Sequence, residues 1–247
     1  MRAYPIIREG VRSSILDFSF PLVAILLLIV NIVIGVENKI FTETPTPYPF
    51  WLIFFFDSFI FMIYGGYLGA KYFAREFDKN TMISLVVTPA RRNGVYVGKL
   101  VGGLIVIGTL SLIVFFQILA FLGVWGDIAY LLWYWYGMHT LVLFISSLFT
   151  MLLAISIGVL VKKTGATLLV SSFYVILSLF ILAFMPMRYA VDDRVYYSIF
   201  FPNLGIWYLK LSISSYAIVY SFPILLGAIG TLFIALISFF LFKGVRL

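Results

Sequence analysis

The sequence predicts an all-α integral membrane protein with six transmembrane helices. Of its 247 residues, 63% are hydrophobic and only 11% are charged, whereas roughly a quarter of an ordinary globular domain is charged. The chain contains six apolar runs, each of about the 20 residues that a helix needs to cross a bilayer. These runs lack the alternating pattern of barrel strands, and helices are the other structure that satisfies its own backbone within lipid. We expect residues 1–247 to form a single transmembrane domain.

The apolar runs are separated by polar segments that differ in kind. The first run is followed by Glu37-Asn38-Lys39 and not by a cleavage site of small residues, so we expect a retained anchor and not a signal peptide. The Thr- and Pro-rich segment that follows predicts a short extended loop. In chain order, the predicted spans are approximately Phe18–Val36, Phe50–Phe73, Val95–Leu122, Tyr130–Val161, Ala166–Met187 and Ala217–Phe242.

The basic residues are divided unevenly between the two sides of the predicted bundle. If the N-terminus is placed inside, 13 of the 17 Lys and Arg residues fall on the inner side. Cytoplasmic loops carry an excess of Lys and Arg, so we expect both termini to face the cytoplasm. The same rule accounts for the net charge of +7, so we expect no nucleic-acid partner.

The N-terminal residues 1–17 mix apolar and basic side chains at helical spacing. Ile7, Val11 and Ile15 recur every four residues, with Arg8 close by. This pattern predicts an amphipathic helix lying on the inner leaflet. An ordinary positive flank to the first span is the equally acceptable alternative.

The connection between the last two spans, residues 188–216, is long and contains an apolar middle. The stretch SIFFPNLGIWYLKLSIS (198–214) is too apolar for a free loop and too short to cross a bilayer, which favours a re-entrant or interfacial segment. Pro202 and Gly205 would permit a break in its helix. Non-helical backbone at membrane depth must be buried in protein or line a cavity.

The inner connection between the second and third spans is more structured than a simple connector requires. After the apolar run ends in REFDKN, the short segment TMISLVV (81–87) is stopped by Thr88-Pro89, because proline disfavours helix at the preceding residue. Asn93-Gly94 is a turn signal before the next span. The pattern predicts a short amphipathic helix that docks a partner.

The stretch REFDKNTMISLVVTPARRNGVYVGKL (75–100) resembles the signature of the ABC-2 (type V) family of ABC-transporter membrane subunits. That signature runs Arg-Glu, charged residues, Gly-Thr, a short Leu-rich helix, Pro, a basic patch and Gly-Lys. The matching positions, in order, are Arg75, Glu76, Thr81, Leu85, Pro89, Arg91, Gly98 and Lys99. Asn80 stands where the family usually has Gly; Asn tolerates a left-handed backbone, so we expect the turn to be kept. The six spans and the 188–216 segment also resemble the family's topology.

The resemblance implies that residues 75–94 form a coupling loop, whose helix docks on a separate ATPase subunit. It implies two ATPase subunits and two membrane subunits, as a homodimer or heterodimer, with ATP and Mg bound by the ATPase and no cofactor on this chain. The N-terminal helix would make a second contact. Each charge is also explained by a topological role at the lipid head groups. The residues that the resemblance assigns to ATPase coupling are Arg75, Glu76, Asp78, Lys79, Thr81, Pro89, Arg91, Arg92 and Lys99.

The sequence contains no nucleotide-binding motif of its own. GVYVGKL (94–100) has three residues between its glycines where Walker A has four, and Leu where that motif has Ser or Thr. GGYLGA (65–70) lies in a predicted span, where small residues favour close helix packing within or between subunits. The absence of cysteine and the single histidine argue against a disulfide or a metal site. We expect a non-enzymatic subunit whose ATPase is another chain.

Three polar residues within the predicted spans are candidates for a transport path: Asp57, Gln117 and His139. An ionisable group in lipid is costly, so by default it is functional or paired and faces the protein interior. Asp57 and His139 both lie in the outer half of their spans and could face each other or a cavity; a structural hydrogen bond is the alternative. The aromatic clusters at 130–136 and Phe54–Phe56 favour interface belts.

The sequence therefore predicts the permease subunit of an ABC exporter, multi-pass in a prokaryotic plasma membrane. Its expected substrate is hydrophobic or amphipathic, such as a drug-like compound, a lipid or a peptide, and a glycan exporter is the alternative. An ion-coupled secondary transporter or channel would need paired charges in several spans, and an intramembrane enzyme would need a catalytic dyad. The sequence shows neither clearly.

Overall fold

A computed structural model describes residues 17–37, 47–81, 92–122, 129–184, 193–205 and 222–244, together with residues 8, 11, 12 and 15. Six of its helices are long and apolar enough to cross a membrane, and the described residues form no strand. The predicted all-α, six-span fold is thereby confirmed. The helices are α1 (Ser19–Glu37), α2 (Pro47–Gly69), α3 (Arg92–Leu122), α4 (Ala129–Val161), α5 (Thr164–Phe184) and α6 (Phe222–Gly244).

Helix α4 forms the centre of the bundle and contacts α2, α3, α5 and α6. Its closest neighbour is α2, which presents glycines four residues apart. A Cβ at Gly65 would lie 2.2 Å from the carbonyl oxygen of Ser147, and one at Gly69 would lie 2.4 Å from that of Met151. These two glycines therefore pack within the subunit, where they bring the two helix backbones into direct contact.

The outward faces of α1, α5 and α6 are lined with large apolar side chains. On α5, for example, Leu169, Phe173 and Phe180 are all exposed. A monomeric soluble protein rarely presents continuous apolar surface on this scale, whereas lipid is a suitable solvent for it. The chain is a multi-pass membrane protein.

Side-chain contacts show which helix ends lie together. Asp17, just before α1, contacts Lys71 beyond the end of α2, and Glu76 contacts Lys99 near the start of α3. We call this face of the bundle the basic end. That it faces the cytoplasm stays a prediction from the distribution of charge.

The second span does not remain a regular α-helix to its end. A π-helical turn, Ala70–Ala74, follows α2 and leads into the one-turn helix Arg75–Asp78. Asn80 comes next with φ of 57°, which is the left-handed conformation expected for it. The turn is thus kept although Asn stands where the family usually has Gly.

Several predicted features lie outside the described residues. They include the coupling helix proper at 82–91, with Pro89 and Arg91, and the part of the 188–216 segment beyond Gly205. Most of the predicted N-terminal helix also lies outside them. The helical assignment of residues 8, 11, 12 and 15 agrees with that prediction only at those positions.

The contact between α2 and α4 gives a first prediction. Gly65→Ala places a methyl group against the Ser147 carbonyl, and such overpacking costs about 1–3 kcal/mol. We expect a clearly lowered Tm in detergent. Gly137→Ala on α4 is the control, because nothing lies within 4 Å of its added Cβ and Ala favours helix over Gly. Equal Tm values for the two variants would contradict the contact.

Candidate functional site

An ion pair between a buried lysine and a partly buried glutamate joins the end of the second span to the start of the third. The Lys99 Nζ lies 2.5 Å from Glu76 Oε1 and donates a hydrogen bond of 2.6 Å to the Tyr72 carbonyl oxygen. Lys99 is only 5% exposed. A buried ammonium is costly unless it is paired and hydrogen-bonded, and here it is both. Lys99 therefore faces the protein interior and braces the coupling loop rather than projecting from it.

The carbonyl that accepts from Lys99 belongs to the π-helical turn. Within this turn the Arg75 N–H bonds to the carbonyl of Ala70, five residues earlier. Phe73 packs edge-on against Phe242 of α6, with ring centroids 5.5 Å apart, and lies 5.6 Å from Lys99 Nζ. π-Helical turns occur frequently at functional sites, and this one lies where the coupling loop leaves the bundle.

A second ion pair attaches the start of α1 to the same turn. Asp17 Oδ2 lies 2.7 Å from Lys71 Nζ and accepts a 3.0 Å hydrogen bond from the Tyr67 hydroxyl. The Lys71 ammonium, helped by Tyr67 and by the Ser19 N–H, lowers the pKa of Asp17 from an ordinary 3.8 to about 2. The carboxylate is therefore charged throughout the physiological pH range and anchors α1 to α2.

The first residues of the coupling loop are also held from the side of α5. Asp78 Oδ2 accepts hydrogen bonds from the Thr164 hydroxyl at 3.0 Å and its N–H at 3.4 Å. This carboxylate therefore caps the N-terminus of α5. The Thr81 hydroxyl donates to the Glu76 carbonyl at 3.3 Å, and Lys162 Nζ lies 5.8 Å from the Phe77 ring.

Fewer contacts are described for the other predicted coupling residues. The side chains of Arg75 and Lys79 are exposed at the basic end. Arg92 is the first residue of α3, and nothing is described of its side chain. Pro89 and Arg91 lie outside the described residues. The structure thus brings Glu76 and Lys99 together and leaves the outward-facing basic residues free of the bundle interior.

A buried polar cluster lies deeper in the bundle, between α1, α2 and α4. Asp57 Oδ2 and His139 Nε2 are 3.3 Å apart and both residues are fully buried. Phe54 stacks on the imidazole, with ring centroids 3.9 Å apart. The buried side chain of Asn31 on α1 lies close enough to Asp57 to influence its carboxyl group. The predicted juxtaposition of Asp57 and His139 is observed, in a site without solvent exposure.

The polar cluster leaves several atoms without a hydrogen bond from the described residues. They are both side-chain polar atoms of Asn31, Asp57 Oδ1 and His139 Nδ1. Buried polar atoms usually have a partner, often an ordered water, so the cluster has capacity for further hydrogen bonds. Among the described residues, no three His, Asp or Glu side chains lie close enough together to hold a metal ion.

Two further polar residues lie within the spans: Gln117, which was a predicted candidate for the transport path, and Asn31, which was not. Gln117 lies on α3 with its Oε1 buried and no hydrogen bond to it from the described residues, and the structure shows no contact with the Asp57–His139 pair. Sequence reasoning missed Asn31. Its signal was present, because Asn31 is the one strongly polar side chain in the otherwise apolar run 19–36.

Residues 193–205 fold back against the helices in two short 3-10 helices, Asp193–Ile199 and Pro202–Leu204. Asn203 forms a double hydrogen bond with Ser178 of α5, at 2.6 and 3.3 Å. Ser178 lies six residues before the end of α5, roughly 9 Å along its axis at 1.5 Å per residue. A Cβ at Gly230 of α6 would lie 1.9 Å from the Ile199 carbonyl oxygen.

These contacts place residues 193–205, two short 3-10 helices joined by an irregular turn, below the ends of α5 and α6 and not above them. Pro202 and Gly205, expected to break the helix, are both buried. Gly205 packs against Val142 of α4 and Ile224 of α6. Buried non-helical backbone of this kind satisfies the condition for irregular structure at membrane depth. How deep it lies in a bilayer stays a prediction.

Six apolar helices, with ion pairs that join helix ends at the basic end, define a multi-pass membrane protein. A family model described as "ABC-2 family transporter protein" matches residues 12–178, about two thirds of the chain. The chain belongs to the ABC-2 transporter family, as the 75–100 signature indicated. In a search of curated proteins no relative matched the chain.

Membership of this family defines the chain as the permease subunit of an ABC transporter. The matched range covers α1 to most of α5 and includes the whole coupling loop. Such a subunit works with an ATPase partner in a membrane.

The Asp17 pair gives a prediction on acid stability. A carboxylate whose folded pKa is lowered stabilises the fold above its ordinary pKa, and that contribution is lost as the pH falls through the lowered value. We therefore expect the Tm of the wild type to fall between about pH 4 and pH 2, and that of Asp17→Asn to fall less. Asp78→Asn, which removes an exposed carboxylate at the same end, should keep the wild-type fall. If Tm falls in the same way with pH in all three proteins, the assigned contribution of the Asp17 carboxylate to stability would be refuted.

Proposed function

We propose that this permease belongs to an exporter, and that its substrate is hydrophobic or amphipathic: a drug-like compound, a lipid or a peptide. The character of the bundle supports this. The described interior is aliphatic and aromatic, with Asp57 and His139 paired to each other rather than set as a ladder of charges for an ion. Substrate would leave a prokaryotic cell through its plasma membrane.

We propose an assembly of two membrane subunits with two ATPase subunits. The packing of α4 supports a path between subunits, because α4 fills the centre of the bundle and most of its span is buried. A single bundle closed around such a helix has little room for a substrate. The second membrane subunit is either a second copy of this chain or a related one.

We propose that the coupling loop, 75–94, docks on the ATPase, and that its residues fall into two groups. Glu76, Asp78 and Lys99 bond within the bundle and hold the loop in place. Arg75 and Lys79 are exposed and, with Arg91 and Arg92, would contact the partner. The observation that supports this proposal is that the Glu76–Lys99 ion pair joins the two flanks of the loop.

Docking is tested by co-purification with the candidate ATPase. The tagged permease is expressed with the ATPase encoded beside it, and the complex is isolated in detergent. We expect the ATPase to be retained by the wild type and lost when residues 82–91 are scrambled with composition unchanged, since scrambling destroys the amphipathic face but spares the internal bonds of Glu76, Asp78 and Lys99.

The matched control scrambles residues 206–216, which belong to the opposite end of the bundle by topology. Retention of the ATPase by this control, and its loss with the 82–91 variant, would locate docking at the coupling loop. Retention by both variants would refute the docking role. Failure of the wild type to retain any ATPase would refute the proposed assembly.

Asp57 and His139 are proposed to act on the transport path. Asp57→Asn removes the ionisable carboxyl group and keeps the shape, so a path role predicts a several-fold change in ATP-driven movement of a hydrophobic fluorescent dye in proteoliposomes. Ser111→Ala is the control, because the Ser111 hydroxyl is buried but bonds only its own helix. If Asp57→Asn lowers Tm, by the 1–3 kcal/mol typical of an unsatisfied buried group, and leaves dye movement unchanged, the pair is structural.

A further inference from the structure

The Lys99 ammonium, near the start of α3, binds two groups at the end of the second span. It bonds the Glu76 carboxylate at 2.5 Å and the Tyr72 carbonyl at 2.6 Å. Glu76 is the second residue of the 75–94 loop and Lys99 follows its end, so the pair joins the two ends of the loop. Truncating Glu76 would leave the buried Lys99 ammonium without its charged partner, which costs more than losing a pair of exposed charges.

The π-helical turn Ala70–Ala74 lies immediately behind this pair. A π-helical turn holds one residue more than the α-helix around it, so it is the place where the second span can change register. One of its contacts with α4 is between small residues: a Cβ at Gly158 would lie 2.9 Å from that of Ala74. Two small residues facing each other offer no interlocking side chains to resist sliding.

The contacts on the two sides of the turn differ in strength. Towards α3 there is the ion pair of the buried Lys99, with its additional carbonyl bond. Towards α5, the polar contacts of the described residues are the exposed Asp78–Thr164 hydrogen bonds, which water can replace. A force on the loop would therefore break the contact with α5 before the contact with α3.

We propose that Lys99, Glu76 and the π-helical turn form a latch, which makes the end of the second span and the start of α3 move as one body over α4. Lys99 is then a positioning residue: it acts through Glu76 and Tyr72, and not by touching the ATPase or the substrate. The proposal rests on the proposed coupling function, and it specifies how the loop's displacement would reach α3. The turn supplies the register change that this displacement requires.

The latch is tested by distance measurements between spin labels. The chain has no cysteine, so cysteines introduced into the purified permease are labelled selectively before the ATPase is added. One pair, Arg75→Cys with Val97→Cys, lies across the latch at exposed positions. A second pair, Val97→Cys with Lys163→Cys, reports on α3 against the exposed turn between α4 and α5. The first pair is measured on the permease alone, because Arg75 is a proposed ATPase contact. The second pair is measured without nucleotide and with ATP plus orthovanadate.

With Lys99 present, we expect a narrow distance distribution across the latch, and we expect the second distance to shift with nucleotide. In Lys99→Met the distribution across the latch should broaden, and the nucleotide-dependent shift of the second pair should be lost. Lys99→Arg, which can still bond a carboxylate and a carbonyl, should recover at least part of that shift. Lys243→Met, at an exposed lysine of the same end, is the control and should behave as the wild type.

The outcomes separate a failed latch from a failed coupling function. An unchanged distance distribution across the latch in Lys99→Met would overturn the latch, as would a Lys99→Met protein that keeps the nucleotide-dependent shift of the second pair. The measurement across the latch needs no ATPase and is made on the permease alone. If the ATPase binds no form of the permease, the coupling function fails, and the nucleotide-free comparison still decides whether Lys99 holds the two spans together.

Discussion

The hydrocarbon core of a bilayer offers no water to a polar group, and most of this structure follows from that constraint. Many of the described polar side chains within the spans turn inward and bond each other or a backbone carbonyl. Lys99 is placed against Glu76, Asp57 against His139, and Asn203 against Ser178. Because apolar contacts between helices gain little over contacts with lipid, these few polar bonds and the close glycine contacts decide which helices are neighbours.

The sequence was sufficient for the number, type and approximate bounds of the helices, because a run of about 20 apolar residues is a strong local signal. It also predicted the left-handed turn at Asn80 and the meeting of Asp57 with His139. It could not show that Lys99 points inward to Glu76. A lysine near a span end is compatible with a head-group anchor, and only the packing of α3 on the second span distinguishes the two.

The π-helical turn was also beyond sequence reasoning. Nothing in AKYFA distinguishes it from regular helix, since its geometry depends on contacts made elsewhere by Lys71, Tyr72 and Phe73. The same applies to Asn31, whose polarity is visible in the sequence but whose proximity to Asp57 depends on how α1 lies on α2. Local patterns predicted the elements, and the contacts between distant elements decided what the functional side chains do.

The polar cluster between α1, α2 and α4 also bears on how the protein is made. Chains emerge from the ribosome N-terminus first, so Asn31 enters the membrane before Asp57, and both precede His139. Until α4 is inserted, the carboxyl group has no imidazole beside it, and α1 has few other interior contacts because most of its span is exposed. The polar contacts between α1, α2 and α4 can therefore be completed only after α4 has been inserted. The polar cluster therefore forms late in biogenesis, after more than half of the chain has been synthesised.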